Sequence, residues 1–360
     1  MKILYLFRSN LKNLEYYHSY NTIEDFEKYC HDFYLLMPLE FLKMGVFDKV
    51  YIWRLSDKKR PDIEFKVKNE KGSKGLFIQK FSLNKFKDVF KYDKPDVSIF
   101  RGGFKEYDNL INMNKSFFGK SFYLGASRRF HPSYGGIYDY ILYESENDLY
   151  DNKKENYKYK RFFKTVNPKV FYPIKKNEIL FDVVWPWKYT SDFRKGEKFL
   201  LESISKHDGL KQLRFFHCGN EPKKAERLFN KYGVKNIQCE GNYHYLKMVN
   251  ILNNGFCGLV TSDKEDGCPR LSTEIISCGT PLVIRDKTRI LEYYKGDGFL
   301  QYYDAESLYN QIIYSIKHYN EIRKKIINRL HNDLSLRKIC EMNLKEWEIK
   351  GGFDNHQTRP

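Results

Sequence analysis

One stretch indicates the fold of the second half of the chain more clearly than any other. It is Asp266-Gly-Cys-Pro-Arg-Leu-Ser-Thr-Glu274, and it runs on through Ile-Ile-Ser-Cys-Gly279-Thr-Pro-Leu-Val-Ile284. Its pattern predicts a loop, a helix over residues 269–278 and a buried strand over residues 281–284. Pro269 suits the first helical position, and Gly279 suits the position just past the helix end. The free N–H groups at residues 268–271 would face outward with the positive end of the helix dipole behind them. The sequence therefore predicts an anion site that fits a diphosphate.

The two acids of this stretch, Asp266 and Glu274, stand eight positions apart. The segment resembles the E-x7-E nucleotide-sugar signature of glycosyltransferase family 4, whose members have the GT-B fold. The resemblance implies that Glu274 holds the ribose hydroxyls of the nucleotide and that Asp266, a glutamate in the family, lies at the donor sugar. The remaining predicted donor-binding residues of the segment are Gly267, Cys268, Pro269, Arg270 and Leu271. An ordinary loop-helix-strand unit of another α/β protein is the alternative explanation.

A second group of residues, Lys188-Tyr-Thr-Ser-Asp-Phe-Arg194-Lys195-Gly196, follows the first predicted strand of the second half. Family members carry an arginine and a lysine here, which grip the donor diphosphate. Lys195 and Gly196 match the lysine and the glycine after it, and Arg194 or Lys188 are the candidates for the second cation. Fixed cations beside the diphosphate lower the activation barrier for transfer of the sugar, because negative charge develops on the leaving phosphate. A solvated helix start also explains an isolated lysine-glycine pair.

Two further loops are predicted to shape the nucleotide site. His217-Cys-Gly219-Asn follows a predicted strand, and the glycine would permit close approach of the backbone to a ligand. Gln238-Cys-Glu240-Gly-Asn242 resembles the stretch of the family whose backbone meets the base. The resemblance therefore adds Gly219 and Glu240 to the donor-binding residues.

In the first half, two loops are candidates for the acceptor side of the site. Arg101-Gly102-Gly103 follows a predicted strand, where the glycines would let a substrate approach the backbone. The next loop contains side chains that suit a sugar hydroxyl or an acidic acceptor: Arg128, Arg129 and His131. The resemblance makes His131 a candidate catalytic residue, and a structural role explains it equally well. Phe7-Arg-Ser-Asn10 stands where many relatives have a glycine-rich loop, so we expect an unusual acceptor.

Alternating strand and helix patterns predict an α/β protein with two halves. In the first half, a helix is predicted over residues 22–43 and strands over residues 2–7, 49–55, 75–80, 96–101, 121–124 and 138–143. In the second half, strands are predicted over residues 178–184, 213–217, 236–238, 255–261 and 281–284, with helices at 196–206, 223–231, 243–253, 269–278, 305–318, 321–330 and 334–347. The polar stretch at residues 145–160 is expected to be a surface excursion.

The length of 360 residues predicts two domains, because one core usually splits beyond ~250–300 residues. The resemblance implies two Rossmann-like domains with parallel, doubly wound sheets that face each other across a cleft. We predict an acceptor-binding domain at residues 1–173 and a nucleotide-sugar-binding domain at residues 174–332. Residues 333–350 are predicted to form a helix that crosses back to the first domain, and residues 351–360 are predicted to be disordered.

The formal net charge of +17 suits an anionic partner: a glycan, a membrane surface in peripheral contact, or nucleic acid. A generally basic surface explains this charge equally well, because the lysines are spread along the chain. The seven cysteines lack CxxC spacing, which predicts neither a disulfide framework nor a zinc site and favours the cytoplasm. The opening residues 1–7 are expected to form a strand instead of an export signal, and no apolar run approaches the ~18 residues of a membrane span.

The resemblance implies a retaining, metal-independent glycosyltransferase that moves a hexose or pentose from a nucleotide-diphosphate sugar to a glycan, a glycoprotein or another glycoconjugate. We expect a UDP- or GDP-linked donor substrate and no cofactor. Two alternatives stay open. One is a phage-type DNA glucosyltransferase, which the positive charge would suit through phosphate contacts. The other is a non-catalytic protein that binds nucleotide sugars or glycans, which the aspartate at position 266 would suit.

Overall fold

A computed structural model of the chain describes residues 1–8, 22–30, 33–55, 63–69, 72–81, 94–102, 105–125, 130–133, 136–175, 178–186, 195–219, 221–241, 245–262, 270–288 and 291–350. The chain divides into two compact units, one of Met1–Asn167 with Leu336–Pro360 and the other of Pro168–Ser335. Within the described residues, no helix combines the length and the apolar character that a membrane span requires. The described cysteines are free thiols.

An eight-stranded sheet forms the centre of the first unit. Its strands are β1 (Lys2–Arg8), β2 (Lys49–Leu55), β3 (Ile63–Asn69), β4 (Gly72–Phe81), β5 (Val97–Arg101), β6 (Lys120–Leu124), β7 (Tyr140–Tyr143) and β8 (Tyr159–Arg161). They lie in the order β3-β4-β2-β1-β5-β6-β7-β8, and each neighbouring pair is parallel except β3 with β4. The central part, from β4 to β7, has the doubly wound order that the sequence predicts.

The helices of the first unit include one that comes from the end of the chain. They are α1 (Ile23–Tyr29), α2 (Phe33–Lys43), α3 (Lys105–Asn114), a 3-10 turn (Lys115–Phe117), α4 (Glu146–Asn152) and α12 (Leu336–Glu346). Aromatic side chains form much of the core on one face of the sheet, in a cluster that includes Phe100, Phe118, Tyr123 and Tyr138. The high aromatic content of the sequence thus supplies the core of this unit.

Trp347, just after α12, fixes the end of the chain in the first unit. Its buried ring stacks on that of Phe162, with 6.0 Å between the centroids and 14° between the planes. Its indole Nε1 donates a hydrogen bond to the carbonyl of Arg161 over 2.9 Å. The buried side chain of Asn343 accepts from the N–H of Phe163 and donates to the carbonyl of the same residue. The C-terminal helix is therefore part of the core of the first unit.

A six-stranded, wholly parallel sheet forms the centre of the second unit. Its strands are β9 (Phe181–Trp185), β10 (Phe215–Cys218), β11 (Ile237–Glu240), β12 (Gly255–Val260), β13 (Leu282–Arg285) and β14 (Phe299–Tyr302). They lie in the order β11-β10-β9-β12-β13-β14. The helices are α5 (Glu197–Lys206), α6 (Asp208–Gln212), α7 (Pro222–Lys231), α8 (Tyr245–Leu252), α9 (Arg270–Ser277), α10 (Ala305–Lys317), α11 (Tyr319–Asn332) and a 3-10 turn (Glu292–Tyr294).

Several elements differ from the sequence-based expectations. The polar stretch 145–160 is not a featureless excursion, because it forms α4 and the beginning of β8. Ser145 caps α4 by accepting a hydrogen bond from the N–H of Asp148, which is the type of signal that starts a helix without apolar residues. The strands β3, β8 and β14 were not predicted. Each lies at the edge of its sheet.

Candidate functional site

The order of the strands in the second sheet identifies the edge at which a ligand would bind. The chain runs from β9 to β10 and β11 on one side, and then returns to β12 on the other side of β9. In sheets of this type, ligands bind outside the carboxyl ends of the strands at the point where the order reverses. Here that point lies between β9, which ends at Trp185, and β12, which ends at Val260.

Gly196 packs directly against the end of β12. Its φ is 79°, in the left-handed region that favours glycine, and a Cβ atom at this position would lie 1.8 Å from the carbonyl oxygen of Thr261. The helix α5 begins just after this glycine, as the sequence predicts. This close contact brings Lys195 to the switch point of the second sheet.

Two fully buried polar side chains hold the backbone of Lys195. The hydroxyl of Thr261 donates to the carbonyl of Lys195 over 2.6 Å, and the carboxylate of Glu197 accepts from its N–H over 3.0 Å. Buried hydrogen bonds of this kind are costly to break, because the abandoned partner is left without water. The position of Lys195 is therefore set by the fold of the second unit.

Sequence reasoning did not identify Thr261 or Glu197. Glu197 had a local signal, because an acidic residue in the first turn of a helix is typical of a helix start. Thr261 follows an apolar strand without any distinctive spacing, and its contact with Lys195 joins residues that are 66 positions apart. Only the folded chain shows that these two residues act on the backbone of the same residue.

The helix α9 carries the acid that the resemblance assigns to the ribose. Glu274 lies in this helix with only 7% of its surface exposed, and its Oε1 atom is 2.8 Å from Nε of Arg270. Leu271 is also buried. Gly279 has a φ of 71° just after the helix, and its N–H donates to the carbonyl of Ile276. The helix and its glycine end are therefore as predicted.

The loops after β10 and β11 meet through the backbone. The N–H of Gly219 donates to the carbonyl of Glu240 over 3.1 Å. The carboxylate of Glu240 accepts from the side-chain amide of Gln238 over 2.5 Å. The structure therefore brings Gly219 and Glu240 together at the carboxyl edge of the second sheet, where the sequence places part of the nucleotide site.

Three buried polar atoms near this edge have no hydrogen-bond partner among the described residues: Nε1 of Trp185, Nε2 of His217 and Oγ of Ser262. His217 donates through Nδ1 to the carbonyl of Trp185 over 3.0 Å, since a carbonyl can only accept. Burial lowers the pKa of His217 to about 4, and the bond to the carbonyl opposes this shift only in part. The imidazole is therefore neutral at neutral pH.

In the first unit, Arg101 and Gly102 lie at the carboxyl edge of the sheet. Arg101 is level with Phe7 of β1 and with Leu124 of β6, and it is half-buried. Gly102 has a φ of 102°, and its N–H donates to the carbonyl of Leu124. These two residues thus lie at the switch point between β1 and β5, as the sequence predicts for the acceptor side.

His131 lies among aromatic side chains at the beginning of β8. Its Nε2 atom is 3.0 Å from the hydroxyl of Tyr159, the first residue of that strand, and its ring lies 5.0 Å from that of Tyr157. The carbonyl of His131 accepts from the hydroxyl of Tyr123. Burial, helped by the charge of Lys154, lowers the pKa of His131. These contacts are those of a half-buried side chain, and both the structural and the catalytic role of His131 stay predictions.

Several predicted site residues lie outside the described part of the chain. They are Lys188, Arg194, Asp266, Gly267, Cys268, Pro269, Gly103, Arg128 and Arg129. Their roles stay predictions from the sequence. Within the part that is described, no cluster of histidine, cysteine, aspartate or glutamate side chains has the arrangement of a metal site.

Comparisons with known proteins relate the chain to others through its fold. No family model matches the sequence, and no curated protein matches it. Among solved structures, a glycosyltransferase from Rickettsia africae ESF-5 superposes with a TM-score of 0.64 at 15% identity, covering 97% of this chain and 98% of that one. HepE from Anabaena, in complex with UDP, gives a TM-score of 0.60 at 11% identity, covering 97% of this chain and 99% of that one.

A third similar structure is an α-glucosyltransferase in complex with UDP and a 13-mer DNA that contains an A:G mismatch. Its TM-score is 0.54 at 15% identity, and the match covers 96% of both chains. Likeness at such low identity concerns architecture, and activity is a separate question. The two units with their doubly wound sheets, together with these matches along nearly the whole chain, show that the protein has the GT-B fold.

Proposed function

We propose that the protein is a retaining glycosyltransferase of the family 4 type, which moves a hexose or pentose from a nucleotide-diphosphate sugar to a glycan or glycoconjugate. The observation that carries the proposal is the packing of Gly196 on Thr261 at the switch point of the second sheet. This contact holds Lys195 beside the strand from which the chain runs on to α9 and Glu274. A cation and an acid thus follow the two strands at whose carboxyl ends a sheet of this type binds a nucleotide.

The donor would bind to both Glu274 and Lys195. Glu274 can accept hydrogen bonds from the two ribose hydroxyls, and such bonds to a charged group stabilise a complex by about 1.5–3 kcal/mol each. Lys195 would contact the diphosphate. Glycine at position 219 keeps the backbone free of a side chain where a ligand approaches closely. A UDP- or GDP-linked sugar is the donor that we propose.

The transfer step follows from the charge that develops on the leaving group. The bond between the anomeric carbon and the diphosphate oxygen breaks, a bond from that carbon to the acceptor oxygen forms on the same face, and the acceptor proton passes to the diphosphate. Lys195 stabilises the negative charge of the departing diphosphate, as preorganised cations do in low-dielectric sites. This scheme uses no metal ion and no protein nucleophile.

The acceptor would bind to the first unit, whose carboxyl edge presents Arg101 and Gly102. A half-buried guanidinium suits a carboxylate or phosphate on the acceptor, because it offers several donors in a fixed plane. The net charge of +17 also favours an anionic glycan. The proposed acceptor is therefore an acidic saccharide or a saccharide carried on an anionic molecule.

DNA is a second candidate acceptor. It is favoured by the net charge and by the likeness to the α-glucosyltransferase whose structure contains UDP and DNA. Affinity for duplex DNA that falls steeply with added salt would support this candidate. The absence of DNA binding at ~50 mM salt would remove it.

The test of the proposal is release of a nucleoside diphosphate from a panel of UDP-, GDP-, dTDP-, ADP- and CDP-linked sugars by the purified chain, with and without saccharide acceptors. We expect donors with one base to be preferred. We also expect NMR to show that the product has the same anomeric configuration as the donor. Binding of a sugar nucleotide with neither hydrolysis nor transfer would favour the non-catalytic alternative.

A further inference from the structure

Arg270 and Glu274 form an ion pair that has one buried end and one exposed end. Nε of Arg270 lies 2.8 Å from Oε1 of Glu274, four residues later in α9. The side chain of Glu274 is only 10% exposed, whereas that of Arg270 is 58% exposed. The guanidinium thus covers the buried acid and presents much of its own surface to solvent.

The position of Arg270 is unfavourable for the helix itself. Arg270 is the first residue of α9, and the first turn of this helix contains no acidic residue. A cation at the amino end of a helix opposes the macrodipole, typically by about 0.3–1 kcal/mol. An i,i+4 pair on a helix offsets only about 0.2–0.5 kcal/mol of this cost, with less for the order in which the cation precedes the acid. The helix alone therefore does not explain the arginine, whose structural contribution is to pair the buried carboxylate of Glu274.

We propose that Arg270 is a two-sided residue of the donor site, which orients Glu274 for the ribose and contacts the diphosphate with its outer guanidinium nitrogens. This inference rests on the proposed function and deepens it. Arginine has five N–H donors in a rigid fork, so Nε can hold the carboxylate while the two terminal amino groups face an anion. One side chain would then link the two parts of the nucleotide that α9 binds.

Arg270 would then be the second cation that binds the diphosphate, a role for which the sequence suggested Arg194 and Lys188. The nucleotide would also remove the electrostatic conflict at the start of α9, because its diphosphate supplies negative charge beside the cation and the helix dipole. An arginine contact of this type requires the phosphate groups of the ligand. It should distinguish a nucleoside diphosphate from the nucleoside that lacks it.

The experiment compares two ligands in wild type and in Arg270→Gln by titration calorimetry. The ligands are the nucleoside diphosphate that wild type binds best, from the UDP, GDP, dTDP, ADP and CDP panel, and its nucleoside. We expect Arg270→Gln to weaken binding of the diphosphate by ~10- to 100-fold, because a hydrogen bond to a charged group is lost. Binding of the nucleoside should weaken only a few-fold, through the less well oriented Glu274.

A matched control is available in α12, where Arg337 pairs with Glu341 through the same Nε and Oε1 atoms at the same spacing, over 3.4 Å. Arg337→Gln should leave both affinities unchanged. Equal losses for the diphosphate and the nucleoside in Arg270→Gln would overturn the phosphate contact. No loss for either ligand would overturn the whole inference.

A further variant keeps the test decisive if the neutral glutamine unfolds the chain by leaving Glu274 unpaired. Arg270→Lys retains the charge beside the carboxylate but lacks the fork, so it should fold and still lose part of the preference for the diphosphate. Full retention of that preference in Arg270→Lys would contradict a two-sided arginine. Failure of wild type to bind any nucleotide would overturn the proposed function itself, and this outcome is visible before any substitution is made.

Discussion

The two sheets share one strand order at their centres, but the buried carboxylates beside them hold different kinds of segment. In the second unit, the fully buried Glu197 accepts from the N–H of Lys195, the residue assigned to the diphosphate. In the first unit, the fully buried Asp108 accepts from the N–H of Ser133 and from the hydroxyl of Tyr138. The first carboxylate fixes a residue at the carboxyl edge, whereas the second fixes a loop against an aromatic cluster.

The two units therefore share a topology without having equal roles. The polar contacts at the switch point of the second sheet set the backbone of Lys195, which is what a site with fixed electrostatics requires. The contacts of Asp108 support packing, and they include the segment that carries His131. The buried Thr261 and Glu197 of the second unit therefore hold a residue of the proposed site, whereas the buried Asp108 of the first unit holds part of a core.

The largest effect is expected from a glycine substitution at the switch point. Gly196→Ala should destabilise the protein by roughly 3–5 kcal/mol, because the left-handed backbone disfavours alanine and the new Cβ would meet the carbonyl of Thr261. Gly136 in the first unit has a similar φ of 71° but open space around a Cβ. Gly136→Ala should therefore cost only about 1–2 kcal/mol. Denaturant unfolding of both variants measures the difference, and equal losses would show that the contact with Thr261 is unimportant.

Substitution of Lys195 tests the chemical role of the second unit. Lys195→Ala should slow transfer by ~100- to 1,000-fold, because the developing charge of the leaving diphosphate loses a fixed cation. The KM for the donor should change much less than kcat. Lys198, an exposed lysine in the next turn, provides the control. Steady-state kinetics that show equal rates for Lys195→Ala and Lys198→Ala would remove Lys195 from the site.

His217 gives the second unit a defined dependence on pH. Its folded pKa of about 4 lies below the unfolded value near 6.5, so the unfolded state binds more protons between these values. The stability contributed by the neutral ring is complete above pH 6.5 and is lost as the pH falls towards 4, by about 3 kcal/mol in total. His217→Gln should flatten this dependence relative to wild type, and the exposed His331→Gln should not. Unfolding curves at several pH values measure how stability depends on pH. Parallel profiles of stability against pH for wild type and His217→Gln would contradict the lowered pKa of His217.

The smallest effect comes from a matched pair of buried hydroxyls. Thr261 donates to the carbonyl of Lys195 and Ser98 donates to the carbonyl of Phe118, each over 2.6 Å. Thr261→Val and Ser98→Ala should each cost about 1–2 kcal/mol of stability. Only Thr261→Val should also slow transfer, because it releases the backbone of Lys195. Equal transfer rates in the two variants would show that this bond has no role in catalysis.

Much of the fold could be predicted from the sequence, since short apolar strands at the centre of a sheet have strong signals. The patterns located β1, β2, β5 and β6 in the first unit and the glycine end of α9 in the second. The edge strand β3 was missed although its residues 63–68 alternate strictly between apolar and polar side chains. The edge strands β8 and β14 were missed because they are only three and four residues long and their residues are mostly half-buried. In these regions, tertiary pairing decides the structure and local pattern does not.

The site was predictable in part, for reasons that depend on distance along the chain. Glu274 and Lys195 belong to short motifs, and the glycines at positions 196 and 279 have the left-handed backbone that their places require. The pair of Arg270 and Glu274 was also accessible, because its i,i+4 spacing is visible in the sequence. The contact of Thr261 with Lys195 was not accessible, since it arises only when β12 lies beside β9.

The central claim is that the second unit binds a nucleotide through Glu274. The most direct measurement is thermal unfolding of wild type and Glu274→Ala with UDP, GDP, dTDP, ADP and CDP. A ligand at ~100 times its dissociation constant should stabilise the folded state by about 2.7 kcal/mol, which raises the unfolding temperature by several degrees. We predict this shift for one base in wild type and its loss in Glu274→Ala. An equal shift in both proteins, or none with any nucleotide in wild type, would contradict the claim.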